Sequence, residues 1–159
     1  MKKLLSTTLL AAAILSGCAT ESSLNEKAGI RVEKQGNDVR VVLPNAVLFD
    51  FGQSTLSANS EQALTRSATL LNRTKAMVLV EGHTDNVGTA QANQELSEER
   101  AVTVAQNLAR LNVAADRMQA KGYSFSKPIA TNDTEEGRRL NRRTDIVILN
   151  ETVENIMKK

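Results

Sequence analysis

Asp85 and Arg100 are the pair of residues whose types and spacing could do chemistry together. Asp85 follows an apolar run, Ala76-Met77-Val78-Leu79-Val80, at the point where that run gives way to Gly82 and polar residues. Arg100 stands in the helical pattern that comes next, and Gly88 turns the chain between them. An acid at a strand exit and a guanidinium on the following helix could grip a small zwitterion. The carboxylate would take an ammonium, and the guanidinium would take a carboxylate in bidentate fashion. Each residue also has a plain structural reading. Asp85 could be a turn residue that satisfies loop amides, and Arg100 a solvated helix-face arginine beside a neighbour such as Gln94. Asn93 and Asn141 could be cap or turn residues, and Arg142-Arg143 a basic strand start. Composition does not choose among these readings.

Other chemistries have less to draw on. His83 is the sole histidine and Cys18 the sole cysteine, too few ligands for a metal site and no basis for a disulfide within the chain. The expected role of His83 is a strand-end residue that hydrogen-bonds nearby backbone. No serine lies in a Gly-x-Ser-x-Gly elbow, and no Gly-rich phosphate loop or acid pair is visible. The chain therefore reads as a binding protein, not an enzyme, with no catalytic residue and no cofactor. Aromatic residues make up 3%, with no Trp and a single Tyr123, which argues against a sugar-stacking cleft or a base-stacking platform.

The elements that must position the Asp85–Arg100 pair begin after a leader. Lys2 and Lys3 precede a mostly apolar stretch over residues 4–15 that is too short to span a bilayer permanently, so residues 1–17 read as a secretory signal. Those two lysines are its only charges. Without them the 20 basic residues fall level with the 18 acidic ones, and the formal +2 disappears. A near-neutral domain offers no basic patch for nucleic acid. Residues 18–27 are polar and aperiodic and read as a tether, which at about 3.3 Å per extended residue reaches at most roughly 30 Å.

The remaining chain, with 41% hydrophobic and 24% charged residues overall, has room for one domain with a real core. Two β-rich runs flank Gln35-Gly36-Asn37-Asp38 and predict a hairpin within residues 28–44, broken by Pro44-Asn45. Residues 46–51 (AVLFDF) read as another short β segment. Ser57 or Asn59 can cap a helix running to about Arg73, which would bury Ala63, Leu64, Ala68 and Leu71. Residues 76–81 read as a central strand. Residues 89–111 form the longest helical pattern, with a break near Ser97, and Asn112 closes it. A short turn at 114–116, a third strand over 117–122, a loop over 124–133, a helix over 134–140 and an alternating strand over 143–149 follow. The tail, residues 151–159, has helical spacing at Val153, Ile156 and Met157 but no readable role. Strands alternating with helices predict an α/β sandwich with helices packed on a mixed sheet, preceded by a hairpin.

VLFDFG (47–52), EGHTDNVG (81–88), the pattern Asn93-x-x-Leu96-Ser97-x-x-Arg100-Ala101, Lys127-Pro128-Ile129-Ala130 and Asn141-Arg142-Arg143 together resemble the OmpA-like C-terminal domain family, over about residues 45–150. The resemblance implies a βαβαβ-type sandwich that binds peptidoglycan without covalent attachment, chiefly through diaminopimelate of the stem peptide. It implies that Asp85 holds the diaminopimelate ammonium and Arg100 its carboxylate. Asn93 and Arg142 match positions that line the same pocket, and Asp50 and Phe51 a loop beside it. Leu15-Ser16-Gly17-Cys18 resembles the bacterial lipobox, which implies a lipidated Cys18. With Ala19 after it, the implied destination is the outer membrane of a Gram-negative cell, with the domain facing the periplasm. Small lipoproteins of this kind also suggest an alternative, an interaction module that binds or sequesters a periplasmic regulatory protein.

Overall fold

The alternating apolar runs become the inner strands of one five-stranded sheet. The computed structural model describes residues 20–50 and 52–158; the signal segment 1–17, Cys18 and Phe51 lie outside the described residues. In chain order the elements are α1 (Glu21–Lys27), β1 (Arg31–Gln35), β2 (Asp38–Pro44), α2 (Asn45–Leu48), α3 (Ser60–Leu71), β3 (Val78–His83), α4 (Ala90–Arg110), a 3₁₀ turn (Ala115–Arg117), β4 (Met118–Gly122), α5 (Glu135–Asn141), β5 (Arg143–Ile148) and α6 (Val153–Met157). The strand order is β1-β2-β5-β3-β4. β3 and β4 run parallel across the crossover that contains α4, and the other neighbours are antiparallel. The result is a mixed sheet with helices packed on it.

Side-chain alternation sends the two sets of strand residues to opposite faces. Val39, Val41 and Leu43 of β2, Val78 and Val80 of β3, and Ile146 and Ile148 of β5 share the core with Ala63, Leu64, Ala68 and Leu71 of α3 and Ala101, Val104 and Leu108 of α4. Burying each of the larger aliphatic groups is worth about 1.5–3 kcal/mol. The other face carries Glu81 and His83 opposite Asp145 and Arg143 in register.

Several local expectations are corrected. The short strand expected over residues 46–51 is absent over 46–50, the part that is described: after Pro44 the chain makes one helical turn, α2, and then a single bridge, Phe49 to Leu56. β2 already pairs with β1 and β5 on its two sides, so the segment that follows it cannot extend the ladder beside it. Coiling buries Leu48 and Phe49 instead. Neither Ser57 nor Asn59 caps α3 with its side chain; the Ser57 carbonyl accepts from the Ser60 amide and hydroxyl. Helix α4 runs unbroken through Ser97. Asn112 does stop it, with a left-handed φ of 66°. The helical spacing of the tail forms α6, which places fully buried Ile156 in the core with Val153 and Met157 packed against it.

The reading of residues 18–27 as a free tether is corrected over Glu21–Lys27, which is a helix docked on α3. Thr20 caps it through the Ser23 amide. The Glu21 carboxylate accepts from Arg66 at 2.5 Å and from Arg73 at 2.8 Å, and Arg73 also donates to the Ile156 carbonyl. Polar composition hid this helix, because its docking rests on ion pairs and on Asn25, which accepts from Arg66 Nε at 2.6 Å. Hydrogen bonds from Arg73 and then Arg66 hold the Glu21 carboxyl at about 2 instead of 4.5. A carboxyl depressed in the fold stabilises it above pH 4.5 and loses that contribution as pH falls toward 2. Glu21→Gln is expected to lower the melting temperature at pH 7 by roughly 3–6 °C, the equivalent of about 1–2 kcal/mol. The gap to wild type should close as pH approaches 2; a gap that is constant with pH would refute the ion-pair account.

Candidate functional site

β3 ends at His83, and the chain leaves the sheet through Thr84, whose amide donates to the Ser124 carbonyl at 2.9 Å. Asp85 is thereby held at the mouth of the sheet with 7% of its surface exposed. Its Oδ1 accepts from the Val87 amide at 3.0 Å, a short Asx turn, and its Oδ2 accepts from Arg142 Nη1 at 2.6 Å. The turn role and the ionic role therefore coexist in one carboxylate. Asn93, on the first turn of α4, donates to the Val87 carbonyl at 2.9 Å and braces the same loop.

Arg142 follows α5, and Arg143 opens β5. The two adjacent arginines have different surroundings: Arg143 is buried against Asp145 at 3.0 Å, while Arg142 bridges Asp85 and Glu135, the latter at 2.7 Å. Burial alone would lower the Arg142 pKa, but the hydrogen bonds to Glu135 and Asp85 outweigh it and raise the value.

Arg100 is not a solvated helix-face residue. It is 4% exposed, with its guanidinium carbon 5.1 Å from the centre of the Phe49 ring, and its Nε donates to the Gln53 carbonyl at 2.9 Å. Among the described residues no carboxylate pairs with it. Burial pushes its pKa down to about 10, with Asp85 pulling it up and Arg142 pushing it further down. At neutral pH it is a cation, largely stripped of water and, among the described residues, with no carboxylate in direct contact, which favours binding an anion.

These residues line one cleft of about 640 Å³. Asp50, Asp85, Asn93, Arg100 and Arg142 all reach it; Asp50 is exposed at its rim. The sequence reading missed Asn45, Phe49, Thr84, Leu96, Glu135 and Arg138, which share the lining. The two-turn spacing from Glu135 to Arg142 was a usable signal for Glu135. Three carboxylates (Asp50, Asp85, Glu135) face three guanidinium groups (Arg100, Arg138, Arg142), a balance that suits a ligand carrying both charges.

His83 does not hydrogen-bond the backbone as expected. It is 1% exposed and stacks on Tyr123 with ring centres 5.7 Å apart. Its Nε2 lies 3.5 Å from Asp145 and 3.7 Å from Glu81. Glu81, His83 and Asp145 are close enough together to hold a metal ion. Arg143 and Lys127 already sit on the two carboxylates, at 3.0 and 3.1 Å, so a dication would have to compete with them at close range.

The profile of the OmpA family matches residues 48–142. The chain is 36% identical over 132 residues to the probable lipoprotein YiaD of Escherichia coli K12, covering 80% of this chain and 60% of that protein. It is 34% identical over 143 residues to the outer-membrane lipoprotein YfiB of Pseudomonas aeruginosa, covering 84% of this chain and 85% of that one. Among solved structures it is similar to the cell wall anchor of the T6SS from Pseudomonas aeruginosa, with a TM-score of 0.73, 33% identity, and coverage of 82% of this chain and 95% of that chain. The chain thus spans most of YfiB and of the solved anchor chain, and less than two thirds of YiaD. Among the described residues no helix is long and apolar enough to cross a membrane.

Proposed function

Because the chain belongs to the OmpA family, we propose that its cleft binds peptidoglycan by gripping the free zwitterionic end of diaminopimelate in the stem peptide, with no turnover. The observation that carries this reading is Arg100, a nearly buried guanidinium that no carboxylate among the described residues pairs with, in the same cleft as Asp85. Its two terminal nitrogens can take a ligand carboxylate side by side. The ligand ammonium joins or displaces Arg142 on Asp85, and Glu135 keeps Arg142 neutralised if it yields. Charge-assisted bonds of about 1.5–3 kcal/mol each give a modest affinity per site, which a polymeric wall with many identical sites compensates by local concentration. The similarity to a cell wall anchor supports the ligand class.

The test is co-sedimentation of the purified domain with sacculi, with and without free meso-diaminopimelate as competitor. Binding that the free amino acid competes away supports the reading; binding indifferent to it, or none, refutes it.

We further propose that a lipid on Cys18 holds the domain at the outer membrane, as the similarity to outer-membrane lipoproteins suggests. With residues 21–27 folded onto the domain, little free chain separates Cys18 from α1, so the wall must lie close to the membrane. Cys18→Ala is expected to move the protein from the membrane pellet to the soluble fraction or to leave an uncleaved precursor. Membrane retention equal to wild type would contradict lipidation. Docking of a periplasmic protein is a second reading, favoured by β1: among the described residues no strand pairs with its outer edge. Such a partner would stay bound to an Asp85→Ala variant.

A further inference from the structure

Four asparagines are buried among the described residues: Asn25, Asn45, Asn93 and Asn141. The side chains of three of them make structural hydrogen bonds. Asn25 accepts from Arg66, Asn93 donates to Val87, and Asn141 ties the 129–132 loop together through both carboxamide atoms. Asn45 differs. It is 5% exposed and lines the cleft, yet among the described residues neither its carboxamide oxygen nor its nitrogen has a hydrogen-bond partner. Its main chain is occupied, the amide donating to the Arg142 carbonyl at 3.0 Å and the carbonyl accepting from Phe49 at 2.7 Å. The side chain does not cap α2 either, since Pro44 holds the N-cap position without a side-chain bond. Of the unpartnered buried polar side chains among the described residues, Asn45 alone lines the cleft.

An idle buried carboxamide is costly to the unliganded fold, because both of its polar atoms have given up water for nothing. A ligand that brings one acceptor and one donor removes that cost. The charged ends of a zwitterion are already matched by Asp85 and Arg100. A neutral carboxamide compensates a second buried charge pair poorly, but it is the natural complement of another amide. We infer that Asn45 reads a peptide bond of the stem peptide beside the gripped diaminopimelate, so that the site distinguishes peptide-linked diaminopimelate from the free amino acid. This rests on the diaminopimelate reading above.

Calorimetric titration of wild type, Asn45→Leu and Asn45→Asp with free meso-diaminopimelate and with the tripeptide L-Ala–γ-D-Glu–meso-diaminopimelate tests it. Wild type should bind the tripeptide more tightly than the free amino acid. Asn45→Leu, close in size, should lose about tenfold for the tripeptide, the equivalent of one to two neutral hydrogen bonds, and little for the free amino acid. Its melting temperature should hold or rise, because two unpartnered polar atoms have gone. Asn45→Asp, which loses the donor and adds a charge, should also lose the tripeptide preference. Equal losses on both ligands, unchanged tripeptide affinity, or a lower melting temperature with unchanged binding would each overturn the inference, the last pointing to a structural role. If wild type binds neither ligand, the diaminopimelate reading itself is what fails.

Discussion

Arg100→Ala is expected to abolish co-sedimentation with sacculi while leaving the domain folded. A ligand carboxylate that enters the cleft gives up water and is repaid chiefly by this guanidinium. Without it the loss is about 2–3 kcal/mol, or roughly 30- to 150-fold in affinity. The unliganded fold loses little, because Arg100 contributes one bond to the Gln53 carbonyl and contact with Phe49, set against the cost of burying a cation that no carboxylate among the described residues directly contacts. The melting temperature should stay within a few degrees of wild type. Arg100→Lys should not restore binding, since an ammonium cannot donate side by side to a carboxylate and also keep the Gln53 contact. Asp85→Ala should lose binding to a similar degree but at a structural cost. It releases Arg142 Nη1 and unpairs the Val87 amide, so its melting temperature should fall. Unchanged sedimentation in both variants would sink the assigned site. A matched fall in melting temperature in both would show that Arg100 is structural.

What the sequence revealed of this site, and what it did not, follows from how far each residue's role depends on distant partners. The zwitterion reading of Asp85 and Arg100 rested on a strand exit and a helix adjacent in the chain, and motif resemblance chose it over the structural alternatives. The ion pair between Asp85 and Arg142 spans 57 residues, and its geometry depends on β3 and β5 being neighbours, which no local pattern states. Arg142 and Arg143 look alike in local pattern, and only the motif resemblance set Arg142 apart; in the fold Arg142 enters the cleft and Arg143 is buried against Asp145. Asn45 was invisible for a different reason. Its neighbours suggest a break between elements, and only the fold shows that the break forms the wall of a pocket. The hairpin was legible from its turn residues, but its place was not: β2 pairs with both β1 and β5, so residues 28–44 are integral to the sheet and cannot be removed as an appendage. The α1 helix escaped the sequence reading because ion pairs with α3, not amphipathic periodicity, hold it; the helical spacing of the tail was legible, but not that it docks Ile156, Val153 and Met157 against the core.

Gly82→Ala is expected to be strongly destabilising, although it adds only one methyl group. A Cβ at residue 82 would lie 2.0 Å from the Ser97 carbonyl oxygen and 2.9 Å from its carbon. Both belong to the main chain of α4 and cannot rotate away. Gly122, paired with Gly82 in register on β4, is equally tight: its Cβ would meet the Ser97 hydroxyl at 2.4 Å and the Glu98 amide nitrogen at 2.5 Å. Two glycines side by side make a flat on the sheet where α4 lies against the strands. That approach lets Ser97 accept from the Ser124 amide and Gln94 donate to the Gly122 carbonyl, each at 3.0 Å. It also places Asn93 and Arg100, one turn either side of Ser97, against the loop that carries Asp85. A methyl group here must push the helix off the sheet, break those bonds and withdraw Arg100 from the cleft together. Overpacking against mobile side chains costs about 1–3 kcal/mol; against main chain the cost should exceed about 3 kcal/mol, a fall of roughly 10 °C or more in melting temperature. Pairing the change with Ser97→Gly should not rescue it, because the obstructing oxygen belongs to the backbone. Protein that remains folded should bind sacculi weakly. A Gly82→Ala variant that melts within about 2 °C of wild type and sediments normally would show that the close approach of α4 is not what sets the geometry of the cleft.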